Sequence, residues 1–300
     1  MFTSAEAVAR WRFGGRAQGL ALILFTACSW GLNWPQSKFL LTMLPPFSMR
    51  AACGVLGFSF AFCVAFVRRE RLWPPRDQWS RLVLYAMLNY GLFTVLTTEA
   101  LVWLKASEAV TITYTLPVWA SMLAWPMLGE RPSLLKILAL VLALVGVALL
   151  VGADPAGVTW QKLPAAGLAL AAAVLFAFGT VMAKKKPLRL PPATSVAWQA
   201  MLGMVLVVLL AGFEHPHWGN VTAGGWMSVG FIATISMTLA YLAWFRGLRL
   251  VPASTAATTV LIAPVIGVAG SGLLLGESFS TRQIFALAMT LTGVALAARG

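Results

Sequence analysis

The chain is a tandem duplication of apolar segments, and its two copies keep step residue by residue. Ala106 and Ser107 stand eleven and ten residues before Pro117, and Glu130, preceded by Gly129, follows Pro117 by thirteen. Ala253-Ser254, Pro264 and Gly276-Glu277 repeat that arrangement at a constant offset of 147. Gly146-Val147-Ala148 returns as Gly293-Val294-Ala295 at the same offset. Of the 300 residues, 60% are hydrophobic and 10% charged, whereas a soluble domain averages about 25% charged. Such a chain cannot cover a water-facing surface, and it is expected to be an integral membrane protein.

Crossing the hydrocarbon core takes about 20 apolar residues in a helix. Ten segments approach or meet that length. They run roughly from Ala17 to Ser37, Pro45 to Val67, Leu82 to Leu104, Ser107 to Leu128 and Leu134 to Val151. The second copy supplies Pro164 to Ala183, Pro192 to Phe213, Thr222 to Phe245, Ala253 to Leu275 and Ile284 to Ala298. The connections are short, so neighbouring helices are expected to be antiparallel. Lys and Arg divide unequally between the two sets of connections. Seventeen, among them Arg10, Arg68, Arg81, Lys136, Lys184 and Arg246, fall on the side of the N-terminus. Only Lys38, Lys105, Lys162 and Arg282 fall on the other. Positive charge concentrates on the cytoplasmic side, so both termini are expected there.

Five segments per copy is an odd number, and directly joined copies of odd length enter the membrane from opposite sides. The expected fold is an all-α membrane protein of ten transmembrane helices, built as two inverted five-helix repeats over residues 17–151 and 164–298. The first two segments match more weakly, with Pro45-Pro46 answering Pro191-Pro192 at an offset of 146. Inverted bundles of spans are a frequent architecture of secondary transporters.

Other function classes fit poorly. A net charge of +13 would suggest nucleic acid in a soluble protein, but here the charges lie in topogenic loops. Cys28, Cys53 and Cys63 fall inside apolar segments as small packing residues, with no metal-ligand spacing among them. His215 and His217, beside Glu214, lie in an outer loop and lack a fourth fixed ligand. No glycine-rich phosphate loop is present, so transport would be secondary or facilitated, with no cofactor. The segment from Met1 to Arg16 lacks the short apolar core and cleavage site of a signal peptide, and the first apolar run reads as a retained span. Trp73, Trp79, Trp160, Trp218 and Trp226 sit next to span ends as interfacial anchors.

The run Ala106-Ser107-Glu108-Ala109, then Leu116-Pro117-Val118, then Leu128-Gly129-Glu130-Arg131, resembles the signature of the drug/metabolite transporter superfamily in its EamA-type branch. Ala263-Pro264-Val265 and Leu275-Gly276-Glu277 resemble it a second time. The resemblance covers essentially the whole chain and implies ten spans, inverted repeats and cytoplasmic termini. The first span, with Cys28-Ser29-Trp30-Gly31-Leu32-Asn33-Trp34, is most similar to the YddG-type exporters of aromatic amino acids. That implies a multi-pass protein of a bacterial inner membrane with an amino acid as its small-molecule partner and the lipid bilayer around it.

Ionisable residues inside a membrane are costly and mark function by default. Arg50, Glu99, Lys105 and Glu108 all gather at the outer end of their spans. They read either as surface ion pairs at helix ends or as an outer gate whose members exchange partners. The middle of the bilayer is left nearly free of formal charge. A phosphorylated substrate would need buried Arg or Lys there, and a small cationic drug would call for a carboxylate in the first span. The remaining Asn, Thr, Ser, Tyr and Trp suit a zwitterion or neutral solute with an apolar side chain.

Helical spacing places Ser107, Thr111, Tyr114 and Ser121 on one face, and Thr234, Thr238 and Tyr241 on another with Trp244 beside them. The candidate substrate-binding residues are Trp30, Asn33, Asn89, Tyr90, Thr111, Tyr114, Thr238, Tyr241, Trp244 and Thr258. A lone Thr or Ser can instead bond back to its own helix, whereas an Asn amide needs several partners. Pro117 and Pro264 are expected to kink their helices and to act as a hinge in each repeat. The leading reading is an inner-membrane exporter of aromatic and other apolar amino acids, working by alternating access. Its rivals are an EamA-type exporter of another neutral metabolite or drug, and an intramembrane lipid-modifying enzyme. The enzyme would need a catalytic group at bilayer depth, and neither histidine lies in a span.

Overall fold

Long apolar runs without polar breaks leave the backbone only one way to satisfy its hydrogen bonds in lipid, which is to bond within each segment. The computed structural model accordingly holds helices and no strand among the residues it describes, which are 4–129, 133–151, 162–251, 256 and 259–299. Eleven helical stretches carry the argument. The first copy contributes α1 (Ser4–Leu40), α2 (Pro46–Val67), α3 (Arg76–Trp103), α4 (Ala106–Thr113), α5 (Leu116–Leu128) and α6 (Leu134–Val151). The second contributes α7 (Lys162–Lys185), α8 (Pro192–Ala211), α9 (Ala223–Gly247), α10 (Ile262–Leu275) and α11 (Thr281–Arg299). Five of these, α2, α3, α7, α8 and α9, are long and apolar enough to cross a membrane, and α10 and most of α11 are shorter apolar helices.

Packing crosses between the copies in matched pairs. Helix α2 packs along α8, and α6 along α11. Helix α1 lies against α9 and α10, while α7 lies against α3, α4 and α5. Small residues permit these approaches. A Cβ on Gly57 of α2 would lie 3.2 Å from the Ala233 carbonyl oxygen of α9, and one on Gly203 of α8 would lie 2.8 Å from the Ala86 carbonyl oxygen of α3.

Those two glycines seat a feature that periodicity did not foretell. The middle of α3 widens into a π-helix over Met87–Leu92, and the middle of α9 does so over Phe231–Leu239. Widened turns release carbonyls from the regular ladder and cluster at functional sites. Around the widened part of α9, side chains add further donors. Trp30 Nε1 donates to the Ser236 carbonyl at 3.3 Å, Thr26 Oγ1 to that of Ala240 at 3.0 Å, and Thr238 Oγ1 to those of Gly57 and Ala233 at 3.1 and 3.3 Å.

The expected proline kinks take the form of chain breaks just upstream of each proline. Pro117 has no N–H to give the Thr113 carbonyl, and the helix stops at Thr113, turns through Tyr114 and Thr115, and restarts at Leu116. Leu261 forms the corresponding turn before α10 and Pro264. Tyr114 and Leu261 are 147 residues apart, the offset of the duplication.

Carboxylates tie the helix ends together. Gly129 and Gly276 both take the left-handed conformation, at φ 77° and 65°, which ends a helix and turns the chain aside. Beyond the second of these turns, Glu277 accepts hydrogen bonds from Ala106 N, Ser107 N and Ser107 Oγ at 2.9, 3.3 and 2.5 Å. The matching Glu130, Ala253 and Ser254 lie outside the described residues. Glu214, after α8, caps α2 through Phe47 N, Ser48 N and Ser48 Oγ at 3.1, 2.6 and 2.7 Å. Glu70, after α2, caps α8 through Thr194 N and Thr194 Oγ at 2.9 and 3.2 Å. A carboxylate on unsatisfied N–H groups at the positive end of a helix is favoured twice, by hydrogen bonding and by the dipole.

Candidate substrate site

The aromatic candidates come together from three helices. Trp30 of α1 meets Tyr241 of α9 edge-on, with ring centroids 5.1 Å apart, and lies 5.8 Å from Trp244. Tyr241 stacks on Tyr90 of α3 at 5.6 Å with 30° between the planes. Tyr114, at the break between α4 and α5, is buried. Both π-helices therefore end on this cluster. The wide turn of α3 carries Tyr90, and that of α9 stops two residues before Tyr241.

Two amides on the same helices, α1 and α3, have their oxygens unanswered. The Oδ1 atoms of Asn33 and Asn89 are buried and have no hydrogen-bond partner among the described residues. Asn33 is one turn along α1 from Trp30, and Asn89 precedes Tyr90. Gly179 of α7 makes the space for Asn89, since a Cβ there would collide with the amide oxygen. Thr113 Oγ1, at the helix break, is unpartnered in the same way. It did not stand out in the sequence, although its place four residues before Pro117 is the position whose carbonyl loses a donor.

Other candidates are spent on structure. Thr111 Oγ1 donates to the Ser107 carbonyl one turn back, at 2.8 Å. Thr238 is bonded to Gly57 and Ala233 as described, and it holds α9 to α2. Thr258 lies outside the described residues. Pro117 and Pro264 flank the breaks above.

The four expected gate residues share one end of the bundle, and among the described residues no ion pair joins two of them. Glu108 accepts from the backbone N of Lys105 at 2.9 Å and pairs with Lys162 of α7 at 3.1 Å. Glu99 accepts from Trp103 Nε1 at 3.3 Å. Arg50 is 8% exposed, and its Nε donates to Thr98 Oγ1 at 2.9 Å. Lys38, which the sequence offered only as a loop charge, closes the same end by donating to the Leu101 carbonyl at 2.6 Å. The opposite, arginine-rich end holds Arg189 against Asp77 at 2.6 Å and joins Gln78 Oε1 to Arg189 N at 2.6 Å. There Trp198 gathers Trp73 and Trp79, at 5.7 and 5.0 Å, into a ring cluster. Among the described residues no group of three or more His, Cys, Asp or Glu could hold a metal ion.

Comparison with known proteins decides the class of this arrangement. The profile of the EamA-like transporter family matches the chain twice, over residues 17–152 and 163–299. The chain belongs to that family. It is similar to the uncharacterized transporter YvbV of Bacillus subtilis (strain 168), at 30% identity over 279 residues that cover 92% of this chain and 90% of the relative. It is also similar to a probable amino-acid metabolite efflux pump of Salmonella typhimurium, at 26% identity over 91% of this chain and 92% of that protein. A crystal structure of another protein superposes with a TM-score of 0.66 at 19% identity, covering 93% of this chain and 96% of its own. At that identity the likeness concerns the fold alone. This EamA-like protein is thus a multi-pass membrane transporter whose aromatic cluster lies at the contact of its two halves.

Proposed function

We propose that this transporter exports amino acids, aromatic and other apolar ones, by alternating access around the aromatic cluster. The observation that carries the proposal is the ring cluster of Trp30, Tyr90 and Tyr241, with the unanswered Asn33 and Asn89 amide oxygens on two of the same helices. An α-ammonium brings three donors to such acceptors, and an aromatic or aliphatic side chain suits the ring cluster. The relative described as a probable amino-acid metabolite efflux pump supports the substrate class. Counterflow of labelled phenylalanine, tryptophan and threonine in proteoliposomes tests it. Accumulation of at least one is expected, and exchange of none of them sinks the reading.

The mechanism rests on ten spans in two inverted halves, 17–151 and 164–298, with both termini in the cytoplasm. Supporting the inversion are the matched packing of α2 on α8, the paired π-helices and the reciprocal caps of Glu70 on Thr194 and Glu214 on Ser48. The helix breaks before Pro117 and Pro264 serve as hinges. Closure on the outer side would draw on Glu108 with Lys162 and on Glu277 with Ser107. Opening requires those contacts to part. The 17-to-4 bias of Lys and Arg supports the orientation.

A further inference from the structure

Several residues around the start of α2 recur in the second copy, and the buried Arg50 does not. At the 146 offset, Pro45 answers Pro191, Ser48 answers Thr194 as a capped helix start, and Gly57 answers Gly203 as a close contact. Arg50 answers Val196, an apolar core residue.

Arg50 is also short of partners. Its Nε is bound to Thr98 Oγ1, and no other hydrogen bond or ion pair to its guanidinium occurs among the described residues. A buried cation without a counter-charge is costly. A single unpaired guanidinium presents a planar fork that matches one carboxylate in charge and geometry.

We propose that Arg50 is the carboxylate-recognition group of the transport path. The assignment builds on the amino-acid reading above and adds the group that binds the end of the substrate opposite its side chain. Thr98 orients the fork through Nε and leaves the two terminal nitrogens free. Position supports the assignment as well. Thr98 is eight residues beyond Tyr90 in α3, roughly 12 Å along a helix axis. Arg50 and the ring cluster thus stand at different depths along α3, with Arg50 nearer the outer end.

Equilibrium binding to the purified full-length protein tests this with phenylalanine, 3-phenylpropionate, phenylalaninamide and phenethylamine. Wild type should bind the two carboxylates, and Arg50→Gln should weaken both about 10- to 100-fold, the worth of a hydrogen bond to a charged group. The amide and the amine should change by less than about threefold. If Arg50→Gln does not reach the membrane, Arg50→Lys keeps the charge without the fork, and it should still weaken the carboxylates more than the other two. Equal weakening of all four ligands, or of none, overturns the proposal, as does a wild type that binds neither carboxylate. A wild type that binds 3-phenylpropionate but not phenylalanine, with the Arg50 effect intact, would refute the amino-acid reading and leave this one standing.

Discussion

The amide oxygens of Asn33 and Asn89 are held in the interior with no donor facing them, a state that costs about 1–3 kcal/mol for each such group. Removing them should therefore cost the fold little. Asn33→Ala and Asn89→Ala are each expected to lower counterflow tenfold or more while membrane level and thermal unfolding change slightly. A parallel loss of stability and transport would make them packing residues. Tyr241 makes ring contacts with both Trp30 and Tyr90, each worth about 0.5–1.5 kcal/mol. Tyr241→Ala should lower transport of tryptophan more than that of threonine, read from their relative rates. At this scale the sequence was a partial guide. Helical spacing brought out Thr111 and Thr238, but it says which face a hydroxyl is on and not which carbonyl it turns to. The Asn residues were legible because an amide carries more hydrogen-bonding capacity than one neighbour satisfies.

Between residue and fold stand the two π-helices and the two helix breaks. Gly203 lets α8 approach the widened turn of α3, where an added methyl would lie 2.8 Å from both the Ala86 carbonyl oxygen and Gly91 N. Gly203→Ala is expected to destabilise by about 1–3 kcal/mol through overpacking, seen as a lowered unfolding temperature in detergent. The break before Pro117 is a different kind of element, because its cause is local. Pro117→Ala restores a donor for the Thr113 carbonyl and should slow exchange while leaving equilibrium substrate binding within a few-fold. An unchanged rate would count against a hinge. The breaks were legible in the sequence because proline removes a donor wherever it stands. The widened turns were not, since Met87–Leu92 and Phe231–Leu239 have the composition of any apolar helix, and side chains of α1, far away in the chain, add donors around the widened part of α9.

Across the whole molecule the two halves are stapled by carboxylates on helix N-termini. The Leu-Gly-Glu part of the repeated motif ends a helix with a left-handed glycine and sends Glu277 to the Ala106-Ser107 part in the other half. The motif's two parts thus complete each other across the halves. Glu277→Ala removes three hydrogen bonds to the start of α4 and should cost about 1–2 kcal/mol, with Glu277→Gln costing less; a thermal melt compares them. Orientation also belongs to this scale. A fluorescent protein fused after Gly300 should fluoresce and alkaline phosphatase fused there should be inactive, and the reverse would place the C-terminus outside.

The sequence by itself determined that the chain enters a membrane, that it carries two copies of one unit, and where its helices break. Those properties follow from hydrophobicity, from residue spacing and from proline's missing donor, none of which depends on distant contacts. Tertiary structure alone decided that Tyr90, Trp30 and Tyr241 meet, that Glu277 reaches Ser107, that two helices widen, and that Arg50 is bonded to Thr98 and, among the described residues, to no carboxylate. Each depends on which surfaces of different helices face one another, and apolar helices in lipid are brought together by close packing and a few polar contacts that no single segment encodes.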